Sequence, residues 1–196
     1  MKRELPIYKM IIEENDMDET EVNYVSLVDE PAIDRMWLKF KDNKEFKFQA
    51  NPERKILTGA LMVADLPIYR RDASMGEYYV VFDKANIEKA ALKFFRKGYG
   101  KNINFMHQEG STIEGAYMFE SFLIDESRGI TPPKGFEDLP DGSWVGSVKI
   151  DNEAFWKTYV SSDSVMGFSV EGIFGHELEM TEDEKVIQEV IKEING

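Results

Sequence analysis

The chain has 196 residues, of which 42% are hydrophobic and 12% aromatic, enough for one well-buried core. Its 37 acidic and 24 basic residues leave a formal charge of −13, which argues against direct binding to nucleic acid or to an anionic membrane surface. With no cysteine and only two histidines, disulfides, thiolate metal sites and cysteine nucleophiles are excluded, and a zinc site would have to lean on carboxylates.

Met1-Lys-Arg-Glu-Leu-Pro is charged but is not followed by an apolar stretch of signal-peptide length. No window approaches the ~20 apolar residues that span a bilayer. The expected location is the cytosol, or a particle assembled there.

In chain order, Tyr8-Lys-Met-Ile-Ile-Glu reads as a first strand, followed by the acidic turn Glu13-Glu-Asn-Asp-Met-Asp-Glu. Glu21-Val-Asn-Tyr-Val-Ser-Leu-Val alternates as a second strand and stops at Asp29-Glu-Pro, because Pro31 cannot donate to a ladder. Trp37-Leu-Lys-Phe and Phe46-Lys-Phe-Gln flank the polar Lys41-Asp-Asn-Lys as a hairpin. Lys55 to Val63 is a near-continuous apolar strand of the kind buried on both faces. A flexible Arg70-Arg-Asp-Ala-Ser-Met-Gly then precedes the strand Glu77 to Phe82.

Asp83 caps a helix predicted from Lys84 to about Lys97, with Ile87, Ala90, Ala91, Phe94 and Phe95 at helical spacing and Gly98 and Gly100 ending it. Asn102-Ile-Asn-Phe-Met-His reads as a short strand, and Glu114 to Asp125 as a long one. The Pro- and Gly-rich segment from Asp125 to Ser143 is irregular, with the length of a lid or binding loop around Phe136 and Leu139. Trp144 to Ile150 returns to strand, Asp151 caps a second helix to about Tyr159, and Val165 to Met180 is a strand. Thr181, with Glu184 three residues on, opens an amphipathic C-terminal helix over 181–196. The expectation is a single β-rich α+β domain over 1–180 with about three helices in all.

Two single residues carry the chemistry. His107 stands where an apolar strand gives way to the polar Gln108-Glu-Gly, and Ser169 lies in Val165-Met-Gly-Phe-Ser-Val-Glu-Gly between Gly167 and Gly172. A base and a nucleophile on separate rigid strands fit a serine hydrolase core. The competing reading is a histidine bonded to a backbone carbonyl and a serine chosen for its size. No phosphate loop, dinucleotide fingerprint or convincing metal constellation occurs, and the acidic runs at 13–19 and 182–184 lack calcium-loop spacing. No cofactor is expected.

The order of these segments resembles the prohead proteases of tailed phages, whose fold is shared with the herpesvirus assemblin proteases. The XkdF-like branch is matched by Val25-Ser-Leu-Val-Asp-Glu-Pro-Ala-Ile, Phe105-Met-His and Gly167-Phe-Ser-Val-Glu-Gly, over a likeness running from about Glu21 to about Glu179. The resemblance implies a herpesvirus-protease-like antiparallel barrel or sheet. It also implies peptide hydrolysis with Ser169 as nucleophile and His107 as general base. The Val-Ser-Leu-Val segment precedes the histidine here, whereas in better-known prohead proteases it follows the serine. That order looks like a circular permutation of the same fold.

For the third catalytic group the resemblance favours Glu21, near the start of the matching strand, although Tyr24 stands at the most direct alignment. Glu171, on the same strand face as Ser169, and His176, after the Ser-His-His pattern of herpesvirus enzymes, are the rivals. Backbone N–H groups near Ser169, or Arg70 and Arg71, would serve an oxyanion hole. The implied partners are scaffold and major capsid proteins as peptide substrates, with self-association as a dimer or larger. The implied location is the assembling procapsid in the host cytoplasm. The alternative is a non-catalytic capsid or scaffold protein that keeps the protease fold, motivated by the C-terminal helix.

Overall fold

The computed structural model describes residues 5–178 apart from 16, 18, 30–46 and 109. Residues 37–46 of the hairpin expected around Lys41, and the whole C-terminal helix, lie outside these residues. The strands are β1 (Ile7–Ile11), β2 (Glu21–Val28), β3 (Gln49–Asn51), β4 (Ile56–Met62), β5 (Ile68–Asp72), β6 (Gly76–Val81), β7 (Ile103–Phe105), β8 (Ala116–Leu123), β9 (Trp144–Ile150), β10 (Gly167–Ile173) and β11 (Gly175–Leu178). Helix α1 spans Lys84–Arg96, and α2 spans Glu153–Phe155 and continues as a π-helical turn over Trp156–Val160.

The strands form three open sheets, ordered β11-β1-β6-β5, β10-β2-β7 and β3-β4-β9-β8. None of them closes into a barrel. Nor are they purely antiparallel, because β1 runs parallel to β6 and β2 parallel to β7. The β-rich α+β expectation therefore holds in its coarse form, while the antiparallel barrel does not.

The sheets share one core, to which Val25, Leu27, Leu57, Ile103, Trp144 and Phe168 all belong. Strand β4 is buried on both faces, and Gly59 is the reason that it can lie so close to its neighbours. A Cβ at that position would stand 3.0 Å from Phe48 Cβ and 3.2 Å from Phe168 Cδ2.

Helix α1 follows its sequence signals closely. Asp83 accepts the Asn86 N–H at 2.8 Å, Gly98 takes a left-handed φ of 78° just beyond the end, and Ile87, Ala90, Ala91 and Phe94 enter the core. The face is rotated slightly from the apolar pattern, so that Phe95 is exposed and Lys93 is buried. The Lys93 ammonium donates to the carbonyls of Glu13 at 3.3 Å, Asn15 at 3.0 Å and Thr20 at 2.7 Å. A buried cation is thereby satisfied by the turn that leads into β2.

Three sequence expectations change. Arg70 and Arg71 belong to β5, paired with Tyr78 and Glu77 of β6, rather than to a flexible segment. The cap of α2 is Asn152, which accepts the Phe155 N–H at 2.9 Å, rather than Asp151. The strand expected over 165–180 breaks at Phe174 into β10 and β11, which join different sheets.

The segment 129–141 is pinned to the protein. Phe136 and Leu139 are buried with Ala60, Val63, Ile124 and Val145, and Asp141 pairs with Lys84 while accepting the Glu126 N–H at 2.9 Å.

Candidate active site on the β10-β2-β7 sheet

Residues directly opposite one another on paired strands project from the same face. Ser169 of β10 lies opposite Ser26 of β2, and Ser26 lies opposite Asn104 of β7. The three polar side chains thus form a row across the small sheet, on the face away from Phe168, Val25, Leu27 and Ile103. The Cβ atoms of Ser169 and Ser26 are about 5 Å apart in such a pair. Ser26 and Asn104 are buried, and Ser169 is half-buried.

A bulge sets the register of this row. Glu171 faces Tyr24 while Gly172 faces Val22, so Asn23 is an extra residue in β2. Val22 and Val25, an odd number of positions apart, can therefore both enter the core. Gly172 makes the close approach possible, since a Cβ there would collide with the Glu21 carbonyl oxygen and lie 2.9 Å from Val22 Cα.

His107 reaches the row through a strained turn. Strand β7 ends at Phe105, whose ring is clamped by α2, with centroids 4.5 Å from Tyr159 and 5.7 Å from Phe155. Met106 and His107 then take left-handed φ values of 49° and 55°. For two successive residues with side chains this costs on the order of 1–3 kcal/mol each, and such strain persists only when surrounding contacts enforce it. Those contacts are on hand: the Met106 N–H donates to the Leu27 carbonyl at 3.0 Å, and the His107 N–H donates to Ser26 Oγ at 2.9 Å.

The turn delivers the imidazole to Glu171. His107 Nδ1 lies 3.0 Å from Glu171 Oε1, and Asn104 Nδ2 donates to the same oxygen at 2.7 Å. Nε2 of His107 has no partner among the described residues, so the ring holds an acid on one nitrogen and offers the other. The His107 side chain is 46% exposed. Beside Glu171 opens a recess of about 320 Å³, bounded by Asn23, Tyr24, Asn104 and Gly172. A larger hollow of about 760 Å³ lies on the β3-β4-β9-β8 sheet and shares no residue with this site.

The structure thus brings His107 and Glu171 together and puts Ser169 two residues before Glu171 on β10, on the same face, with β2 between it and the β7 end that carries His107; no direct hydrogen bond joins Ser169 to His107. Glu21 is elsewhere. Its carboxylate pairs with Lys97 and accepts the Tyr99 hydroxyl at 3.0 Å; burial, and then Glu21 itself, push the Tyr99 phenol above its ordinary range. Glu21 is five residue steps from Ser26, roughly 16 Å along β2, and the acid on His107 is Glu171. His176 lies in β11, in another sheet, with its ring 5.6 Å from that of Tyr8. Arg70 lines a cavity of about 50 Å³ with Phe168, Ser169 and Val170 between β4, β5 and β10.

Sequence reasoning missed Ser26 and Asn104. Their signal is the polar residue at the centre of Val25-Ser-Leu and Ile103-Asn-Phe, where strand alternation sets one polar side chain against two core residues.

The family model described as "Putative phage serine protease XkdF" matches residues 44–179. The chain belongs to this family. The match includes His107, Ser169, Asn104 and Glu171, but it begins beyond the Val25 to Ile33 segment. No curated protein and no solved structure matches the chain. Among the described residues of this XkdF family member, no helix is long and apolar enough to cross a membrane, and no cluster of three or more His, Asp or Glu residues is placed to hold a metal ion.

Proposed function

We propose that the chain is a serine endopeptidase of phage head maturation, cleaving scaffold and capsid proteins inside the procapsid in the host cytoplasm. Ser169 is the nucleophile, His107 the general base and Glu171 the group that orients and supports it. The single observation behind this reading is the acid on Nδ1 of His107, on the sheet face that also carries Ser169.

In the reaction, His107 Nε2 takes the Ser169 hydroxyl proton as Oγ attacks the scissile carbonyl carbon. Nδ1–H stays donated to Glu171, whose charge stabilises the imidazolium that forms. The imidazolium then protonates the leaving amine, and water hydrolyses the acyl-enzyme with His107 as base again. Backbone N–H groups next to Ser169 are the nearest donors for the oxyanion. The direct Ser169–His107 hydrogen bond forms when substrate is held against β10, since such bonds commonly tighten only in the bound complex.

Co-expression with the scaffold and major capsid proteins of the same phage, wild type beside Ser169→Ala, tests this by intact mass. Products with wild type alone are expected. Absence of products from both chains, each folded and assembled, would instead assign the fold a structural role in the shell.

A further inference from the structure

We infer that Asn104 is a positioning residue of the proposed reaction, one that locks the Glu171 carboxylate on His107; this rests on the protease reading above. Asn104 is 1% exposed. Its Nδ2 donates to Glu171 Oε1 at 2.7 Å, the same oxygen that meets His107 Nδ1 at 3.0 Å. Its Oδ1 is buried and has no partner among the described residues. A buried acceptor left unpaired costs stability, and an apolar residue of similar shape would serve the β2-β7 pairing better. The amide orientation is also determined: turned over, it would set Oδ1 against a carboxylate oxygen, acceptor against acceptor.

The strand supplies the rigidity. Asn104 lies opposite Ser26 in the parallel pair, and Ser26 Oγ holds the His107 backbone N–H at 2.9 Å. The two buried side chains therefore fix the two ends of one hydrogen bond, Ser26 the histidine and Asn104 the acid. Without the amide, Glu171 on the rim of its recess is free to rotate into water, and the imidazole loses the partner that sets which nitrogen carries its proton.

The experiment uses the full chain with His176→Gln, which leaves one histidine, and reads the His107 tautomer by ¹⁵N NMR above its titration. The expected signal is a neutral ring protonated at Nδ1. Asn104→Ala, and Asn104→Leu, which retains the volume without a donor, should shift it to a mixture containing protonated Nε2. In parallel, a fluorophosphonate probe reports nucleophilicity: the Ser169 Oγ–P bond forms, the P–F bond breaks with loss of fluoride, and His107 takes the hydroxyl proton. Labelling should slow on the order of 10- to 100-fold in the Asn104 variants.

Unchanged tautomer and labelling in either folded variant would overturn the inference. Absence of Ser169 labelling in wild type would overturn the protease reading instead, leaving the tautomer to decide the role of Asn104. Should both variants fail to fold, Glu171→Gln with Asn104 intact must move the Asn104 side-chain amide resonance; an unmoved resonance overturns the inference.

Discussion

Two buried polar groups, Lys93 and Asn104, sit eleven positions apart in sequence and are treated in opposite ways by the fold. Lys93 on α1 is surrounded by the carbonyls of Glu13, Asn15 and Thr20, so a charge inside the protein is fully answered and holds a turn shut. Asn104 on β7 is answered only at one end, and that end points at the acid on His107. A satisfied buried group belongs to the architecture, whereas one kept at a cost marks a position where chemistry takes precedence. Backbone strain follows the same division, since the two consecutive left-handed residues lie at Met106 and His107.

The strongest way to sharpen that contrast is at the nucleophile. Ser169→Ala should abolish cleavage and probe labelling, a loss on the order of 10³-fold or more, with little change in melting temperature; Glu171→Gln should approach the same phenotype. Mass-spectrometric cleavage and thermal melts together check both readouts. At Lys93 the effects should invert. Lys93→Met strands three carbonyls and is expected to cost about 2–4 kcal/mol in urea unfolding, while the surviving folded fraction labels at the wild-type rate.

Gly172→Ala comes next. The Cβ would meet the Glu21 carbonyl at the β2 bulge, so a destabilisation of about 1–3 kcal/mol is expected, together with slower labelling because the bulge sets the register of Glu171. Glu21→Gln is smaller. It weakens a partly exposed ion pair to Lys97, worth about 1 kcal/mol or less, and should leave labelling untouched; a loss like that of Glu171→Gln would restore Glu21 as the catalytic acid.

The smallest expected effect is at Asp125. Hydrogen bonds from the Ser127 hydroxyl and then Arg128 lower its carboxyl to about 2. A group whose folded pKa is depressed stabilises the fold above its unfolded pKa, near 4. The contribution of this turn should therefore be complete above about pH 4 and be lost as pH falls toward 2, and Asp125→Asn should remove that slope from acid unfolding curves.

Much of this was legible in the residues. Alternation delimited β2 and β9, a cap and an apolar stripe delimited α1, and a polar residue at the end of one apolar strand and inside another marked His107 and Ser169. Glu171 was visible as sharing a strand face with Ser169, yet nothing in spacing could rank it above Glu21. The Arg70 segment was misread because its polar residues occupy an edge strand, where one face stays in water and the apolar signal is weak.

What the sequence determined by itself is local: which segments can be strands or helices, where they stop, and that no cysteine chemistry is available. The acid on His107, the Ser169-Ser26-Asn104 row and the burial of Lys93 were decided only in the tertiary structure. Register across non-adjacent strands, set here by a bulge at Asn23 and the missing side chain of Gly172, arises from packing between segments far apart in the chain, and local propensity carries no record of it.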